Sequence, residues 1–211
     1  MLVRNAVLRG GRATILALLL VFALGSETLR AEPPIPEPRP YAFTIYGGQV
    51  YSSNYTATFY NPGGIDFEDT GLVALAFSAR LMQWDWGLSF EVEGNVAKRF
   101  GNEDYWEFNA ALVARWSEFP WNDFVYTTIG IPFFGPSYST EISEVQRDKN
   151  GGKGSRWLNF FAPEITFSPP DNPNIALVVR FHHNSGMFGV YNGVSGGSAA
   201  VTAGMRFRFE P

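Results

Sequence analysis

A histidine and a serine stand two positions apart near the end of the chain, in a run that reads Phe181-His182-His183-Asn184-Ser185-Gly186. In an extended strand, side chains two positions apart project from the same face and lie within about 7 Å of each other. An imidazole at this distance can take the proton of a serine hydroxyl, and the serine can then attack a carbonyl carbon. Many strands carry such a pair without catalysis, so the surrounding elements must decide between the two interpretations.

The elements around the pair are predicted to be β-strands. Eight segments alternate apolar with polar residues and are bounded by turn residues, which is the pattern of strands. They are residues 41–51, 70–82, 86–97, 105–116, 124–133, 157–167, 175–185 and 199–209. His183 and Ser185 thus lie at the end of the seventh of these strands.

The connections between the predicted strands alternate in length. Residues 83–85, 117–123 and 168–174 form compact turns, whereas 52–69, 134–156 and 186–198 are longer, and only 98–104 is of modest length. Short turns on one rim and long loops on the other, with an even number of strands, are typical of outer-membrane barrels. We therefore predict an all-β fold, an eight-stranded antiparallel transmembrane β-barrel of the outer-membrane type.

The placement of charges and aromatic residues agrees with this fold. Glu91 and Glu93 share one face of the third strand, and Arg206 and Arg208 share one face of the eighth, so the barrel interior can pair them. A soluble sandwich gives the same alternation with its faces inverted, so loop lengths and aromatic placement decide. Aromatic residues cluster near predicted strand ends, as membrane interfaces require, at Trp84, Trp86, Trp106, Trp116, Trp121, Trp157, Tyr105 and Tyr126.

Residues 1–31 have the order of a secretory signal peptide. Arg4, Arg9 and Arg12 come first, an apolar run at 13–24 follows, and a polar stretch leads to Ala31. The apolar run is too short to span a bilayer as a helix. We predict cleavage after Ala31, with Ser26 as the other candidate, then a proline-rich lead-in at 32–40 and one barrel domain at 41–211. The predicted location is the outer membrane of a Gram-negative type of bacterium.

Composition excludes several classes of function. Removing residues 1–31 takes four arginines and one glutamate from the 16 basic and 20 acidic residues, which leaves a net charge of −7 and argues against a nucleic-acid partner. The chain has no cysteine, and its two adjacent histidines project to opposite faces of a strand, so we predict no metal site and no cofactor. Residues 148–152 lack the ligand spacing of a calcium site and are expected to form a solvated loop.

The alternation of the seventh strand sets the direction of the pair. Arg180 and His182 share one face, and Phe181, His183 and Ser185 share the other. Because the charged face belongs to the barrel interior, His183 and Ser185 are predicted to face the lipid near the external rim. A hydrolase whose nucleophile faces lipid has a lipid acyl ester as its natural substrate.

The run from Phe181 to Gly186, the glycine-rich loop after it and the ending Arg206-Phe207-Arg208-Phe209 resemble the PagL-type lipid A deacylases, a family of eight-stranded outer-membrane acyl hydrolases. In that family, a His-x-Ser-Asn motif on the penultimate strand faces the lipid. Its serine attacks the ester at the 3 position of lipid A, its histidine acts as base, and a glutamate orients the histidine. The resemblance implies that Ser185 is the nucleophile, that His183 is the general base and that lipid A of lipopolysaccharide is the substrate.

The sequence departs from the pattern of this family at two places. Gly186 occupies the position of the asparagine that helps form the oxyanion site, where the backbone N–H of Gly186 could serve instead. Gly196-Gly197-Ser198 stand where the glutamate is expected, and no acidic residue occurs between Asp171 and Glu210. Loss of an orienting carboxylate can cost several orders of magnitude in rate. The candidates for orienting the imidazole are then the acidic residues Glu141, Glu144 and Asp148 of another loop, or the neutral residues Asn192 and Ser198.

Three functions remain open from the sequence. The leading hypothesis is an acyl-ester hydrolase that removes an acyl chain from lipid A. The alternative is a non-catalytic barrel that serves in adhesion, membrane integrity or the binding of a hydrophobic molecule. A narrow pore is disfavoured, because side chains fill the interior of an eight-stranded barrel. The expected partner is a membrane lipid, and a homodimer is compatible with the sequence.

Overall fold

The computed structural model describes residues 35–52 and 61–211. In this part of the chain the strands are β1 (Tyr41–Tyr51), β2 (Phe67–Gln83), β3 (Leu88–Gly101), β4 (Trp106–Trp116), β5 (Tyr126–Phe134), β6 (Pro136–Ser139), β7 (Trp157–Phe161), β8 (Glu164–Ser168), β9 (Ile175–Ser185) and β10 (Gly197–Phe209). A 3-10 helix spans Pro62–Gly64, and one α-helix, α1, spans Glu144–Lys149. The predicted signal peptide at 1–31 lies outside the described residues, as do 32–34 of the predicted lead-in and 53–60 of the first long loop.

The strands pair antiparallel in one closed ring. Sequence neighbours pair from β1 to β5, and β10 pairs with both β1 and β9, so the sheet closes on itself. Two positions in the ring are each filled by two short strands, because β4 pairs with both β5 and β6, and β9 pairs with both β7 and β8. The ring therefore has eight positions, and the predicted eight-stranded antiparallel barrel is confirmed.

The two interruptions in the ring have local causes. Pro163 lies between β7 and β8, and it has no N–H to donate to the sheet. Gly135 lies between β5 and β6, where the backbone of β7 comes close. A Cβ at position 135 would be 2.4 Å from the Phe160 carbonyl oxygen. The predicted fifth strand, 124–133, is too short, because the strand resumes after this break as Pro136–Ser139.

Short and long connections lie on opposite rims of the barrel. Residues 84–87, 117–125 and 169–174 turn the chain at one rim, and 102–105, 140–156 and 186–196 connect strands at the other. We call the second the long-loop rim. The helix α1, which the sequence analysis did not predict, lies in the connection 140–156 and buries Val145 in a cluster with Tyr46, Leu72 and Ala200. In the described part of the chain, no helix has the length and apolar character that crossing a membrane requires.

The two faces of the barrel wall differ in polarity. Large apolar side chains are exposed on the outer face, among them Phe43, Leu75, Phe77, Phe108 and Leu177. The inner face carries charged residues that are each 4% exposed or less: Arg99, Arg115, Arg180, Arg206, Glu91, Glu93, Glu107 and Glu164. Exposed tryptophans lie at both rims, with Trp84, Trp86, Trp116 and Trp121 at the short turns and Trp106 and Trp157 at the long-loop rim. This arrangement is that of a wall with lipid outside and paired charges inside.

Candidate active site on the outer face

The strand β9 carries the predicted pair on its outer face. Side chains along β9 alternate between buried and more exposed positions over the whole strand. His182 and Asn184 are buried in the interior, whereas Phe181, His183 and Ser185 are half-buried on the outside. Because β9 ends at Ser185 and the connection 186–196 follows, His183 and Ser185 lie next to the long-loop rim. The alternation in the sequence predicted this orientation.

Small residues border the pair on one side. The strand β10 places Ala199 opposite His183 and Gly197 opposite Ser185. On the other side, β7 places Phe161 opposite His183. Because Gly197 has no side chain and Ala199 has only a methyl group, the imidazole can lie close to the main chain of β10.

A main-chain carbonyl holds the His183 ring. Its Nδ1 atom lies 3.1 Å from the carbonyl oxygen of Ser198 in β10. A carbonyl oxygen only accepts, so Nδ1 carries the proton in this contact and the lone pair is on Nε2. A histidine that acts as general base through Nε2 needs this tautomer. The carbonyl has no full negative charge, however, and stabilises a protonated imidazole less than a carboxylate does.

Of the residues predicted to orient the imidazole, Ser198 contacts it, and it does so through the main chain instead of its hydroxyl. Asn192 Nδ2 donates to the Ser155 hydroxyl at 2.6 Å. Glu141 pairs with Arg156 at 3.2 Å, and the N–H of Glu144, the first residue of α1, donates to Glu103 at 2.8 Å. None of the contacts named for Asn192, Glu141 and Glu144 involves His183.

The chain reverses direction directly after Ser185, and Gly186 is the residue that permits it. A Cβ at position 186 would lie 1.6 Å from the Val194 carbonyl oxygen, so no other residue fits without moving the loop. The Gly186 carbonyl accepts a hydrogen bond from the Tyr191 N–H at 3.0 Å. The close approach of the returning loop thus explains why glycine occupies this position.

Two connections of the long-loop rim are tied together beside the pair. Asn150 caps the end of α1 and accepts hydrogen bonds through Oδ1 from the N–H groups of Ser195 and Gly196, both at 2.9 Å. Lys149 Nζ donates to the carbonyl of Gly197, the residue opposite Ser185, at 3.1 Å. The expectation that 148–152 is only a solvated loop was therefore wrong for Lys149 and Asn150. Sequence reasoning missed them because no pattern links residues 45 positions apart.

A second histidine site lies inside the barrel wall. His182 is fully buried, and its Nε2 lies 2.7 Å from Glu107 while its Nδ1 lies 3.1 Å from the Tyr46 hydroxyl. The Glu107 carboxylate also accepts from Arg99 Nε at 2.6 Å and from Asn184 Nδ2 at 2.8 Å. Every oxygen of Glu107 therefore has a donor, and the inner histidine belongs to a closed polar network.

This network extends along the interior and balances its charges. Its ion-paired members are five glutamates and five arginines, namely Glu91, Glu93, Glu103, Glu107, Glu164, Arg99, Arg115, Arg180, Arg206 and Arg208. The carboxylates and guanidinium groups are equal in number, so the charges of these ten side chains balance. Among the described residues, no group of three or more histidine, aspartate or glutamate side chains is placed to hold a metal ion.

No known protein family and no characterised protein matches this sequence. The fold, by contrast, is similar to solved structures. The crystal structure of the outer membrane enzyme PagL matches with a TM-score of 0.54 and 12% identity, over 80% of this chain and 99% of that one. Neisserial surface protein A, NspA, matches with a TM-score of 0.45 and 13% identity, over 82% and 100%. The Yersinia pestis outer membrane protein Ail matches with a TM-score of 0.37 and 13% identity, over 81% and 99%. At 12% identity, the similarity to the PagL structure establishes the barrel fold and not an activity.

Proposed function

We propose that this chain is an outer-membrane hydrolase that removes an acyl chain from lipid A, with Ser185 as nucleophile and His183 as general base. The observation that carries the proposal is the position of the pair. Both side chains lie on the lipid-facing side of β9 at the long-loop rim, and the Ser198 carbonyl holds the imidazole through Nδ1. A lipid ester at the level of the headgroups would therefore meet a serine and, two positions along the same strand face, a histidine in the tautomer that a base needs. Residues 1–31 would serve as the export signal.

The proposed reaction is a two-step acyl transfer. His183 Nε2 takes the Ser185 hydroxyl proton as Oγ attacks the ester carbonyl carbon, and the resulting oxyanion accepts a hydrogen bond from the Gly186 N–H. The C–O bond to the sugar then breaks, and the departing alkoxide takes the proton from His183. A water molecule, deprotonated by His183, then attacks the acyl carbon. The bond to Ser185 Oγ breaks, Oγ takes the proton back from His183, and the fatty acid leaves. The hydrogen bond between base and nucleophile is often long in a resting enzyme and shortens with substrate bound.

The carbonyl contact at His183 sets an expectation for the rate. When a catalytic histidine loses its carboxylate and its correct tautomer, the rate of the enzyme falls by on the order of 10⁴-fold. Here the Ser198 carbonyl preserves the tautomer and only the full negative charge is missing. We therefore expect a slow enzyme whose rate is lowered by less than about 10⁴-fold relative to one with an orienting carboxylate.

The test is mass analysis of lipid A from cells that express the protein. Wild type should produce lipid A that lacks one acyl chain, and Ser185→Ala should leave lipid A intact. A matched control is Ser78→Ala, since Ser78 is a buried inward-facing residue of β2 and its hydroxyl has no hydrogen-bond partner among the described residues. Identical lipid A from wild-type and Ser185→Ala cells, with the barrel present in the outer membrane, would contradict the proposal.

The second candidate function is a non-catalytic barrel that serves in adhesion, membrane integrity or the binding of a hydrophobic molecule. One observation favours it: no acidic residue occurs between Asp171 and Glu210, where a carboxylate for His183 would be expected. A barrel of this kind gives the same lipid A profile for wild type, Ser185→Ala and Ser78→Ala. The same experiment therefore separates the two functions.

A further inference from the structure

A row of small residues crosses the outer face of the barrel and ends at Ser185. From Ser185 it runs through Asn159 of β7, Pro136 of β6 and Ala110 of β4 to Gly94 of β3, with one residue on each strand. The step from Pro136 to Ala110 continues the register in which Ser137 lies opposite Asn109. Each residue of the row lies beside the next across a pair of neighbouring strands.

A groove of about 550 Å³ lies over the far part of this row. Gly94, Ala110 and Pro136 form its floor, because they are the small outward-facing residues among those that line it. Phe108, Tyr138 and Trp157 form its wall toward the long-loop rim, each two residues closer to that rim than the row residue of the same strand. Phe77, which lies opposite Gly94 on β2, closes the far end.

The length of the row fits a fatty acyl chain. Four strand spacings separate Ser185 from Gly94, which is about 19 Å at roughly 4.8 Å for each spacing. An extended hydrocarbon advances about 1.25 Å for each carbon, given ordinary C–C bond lengths and angles. A chain of about 16 carbons whose ester carbonyl lies at Ser185 would therefore reach Gly94.

The direction of the row also fits a lipid of the outer leaflet. Ser185 lies at the long-loop rim, whereas Gly94 lies in the middle of β3, so the row descends into the bilayer. With strands tilted by about 35–45° from the barrel axis, a row perpendicular to them descends about 11–13 Å over its length. This depth is close to the roughly 15 Å of hydrocarbon in one leaflet.

We propose that this groove holds the acyl chain of the ester that Ser185 attacks, and that Gly94 and Phe77 limit the length of that chain. The inference rests on the proposed function, because it names the substrate chain of the same site. Lipid tails are as apolar as the groove, so entry into it gains no hydrophobic free energy. The groove instead selects by shape, because a chain that lies along the small residues contacts the aromatic wall where it passes Trp157, Tyr138 and Phe108.

The experiment measures hydrolysis of a series of lipid esters with acyl chains of 6 to 20 carbons by the purified barrel in detergent. In Gly94→Phe, a ring fills the far end of the groove, and the fold should tolerate it because a Cβ at position 94 meets only the Asn109 carbonyl oxygen, at 4.0 Å. We expect about a tenfold loss with 16-carbon chains and less than about a twofold change with 6-carbon chains. Phe77→Ala should move the preferred length to longer chains. Ala203→Phe adds the same ring to an exposed position of β10 and should change neither.

An equal loss at all chain lengths in Gly94→Phe, or no loss at any length, would overturn the groove while leaving the hydrolase proposal intact. If wild type hydrolyses none of the esters, the hydrolase proposal fails, and a second measurement then decides the groove. Ser185→Ala is incubated with a 16-carbon ester that carries a photoreactive group at its chain end. Crosslinks near Gly94 and Phe77 support the groove, and crosslinks spread evenly over the outer face overturn it.

Discussion

The adjacent histidines of β9 lie on opposite sides of the barrel wall, in contrasting surroundings. His182 is fully buried, and both of its ring nitrogens contact side chains, Glu107 at 2.7 Å and Tyr46 at 3.1 Å. His183 is half-buried on the lipid side, and its Nδ1 contacts the Ser198 main-chain carbonyl. The inner histidine has a carboxylate and no route to a lipid ester. The outer one has a serine on its own face and a carbonyl in place of the carboxylate.

This contrast shows that the partners of a histidine do not by themselves identify a catalytic residue. A Glu–His contact is the more familiar sign of catalysis, yet in this barrel it belongs to an interior where five carboxylates pair with five arginines. Such networks fix the packing of a narrow barrel, and breaking one member is costly. Neighbouring residues of a strand point to opposite sides of the barrel wall. This difference in side distinguishes the structural His182 from the candidate base His183.

The largest expected difference between the two histidines is in activity. His183→Gln removes the proposed base and should lower the rate of acyl-ester hydrolysis by on the order of 10³–10⁴-fold, with the barrel still folded. His182→Gln keeps the base but loses a buried contact to Glu107, which should lower the free energy of unfolding by about 1–3 kcal/mol. Rates of ester hydrolysis and midpoints of urea unfolding measure both effects. Loss of activity in a folded His182→Gln barrel, with His183→Gln active, would reverse the two assignments.

The next effect concerns the stability of the inner network. Glu107→Gln removes the charge that faces Arg99 and His182 inside the barrel, and it should cost about 3–5 kcal/mol of unfolding free energy. The matched control is Glu141→Gln, because Glu141 and Arg156 form an ion pair that is exposed on both sides and contributes less than about 1 kcal/mol. Heat-modifiable gel mobility and urea unfolding provide the measurements. Equal stabilities of the two variants would show that the interior pairs contribute no more than a surface pair.

The barrel could be predicted from the sequence because side chains in each strand alternate between a polar interior and an apolar exterior. The structure gives β1 and β9 the bounds that alternation predicted, 41–51 and 175–185. The prediction was wrong where a local feature broke the period. Gly135 and Pro136 hid the continuation of the fifth strand, and α1 is too short, at six residues, to show a helical pattern.

The surroundings of the pair could be predicted only in part. The face of His183 and Ser185 follows from alternation, but the partner at Nδ1 is a main-chain carbonyl, which every residue type has. The contact of Asn150 with the loop after Ser185 and the row from Ser185 to Gly94 depend on strand register. Register between distant strands is set by packing of the whole ring and cannot be recognised in the sequence of one strand.

A smaller effect is expected from the loop contact beside the outer histidine. Asn150→Ala removes the oxygen that accepts from Ser195 and Gly196, and it should weaken the anchoring of the connection 186–196 by about 1–3 kcal/mol. We expect faster protease cleavage within 186–196 and a loss of activity of a few fold, with the barrel intact. Asn102→Ala, at an exposed residue of the short connection on the same rim, is the control. Unchanged cleavage in Asn150→Ala would show that the loop is held by other contacts.

The smallest effect should come from the residue that holds the outer histidine. Ser198→Ala removes a hydroxyl that points into the barrel, but it keeps the carbonyl oxygen that lies 3.1 Å from His183 Nδ1. We therefore expect less than a twofold change in the rate of ester hydrolysis and about 1 kcal/mol or less in unfolding free energy. A fall beyond about tenfold in a folded barrel would mean that the hydroxyl itself orients the imidazole. A side chain would then hold His183 in the outer site, as Glu107 holds His182 in the inner one. The two histidines would in that case differ only in their access to lipid.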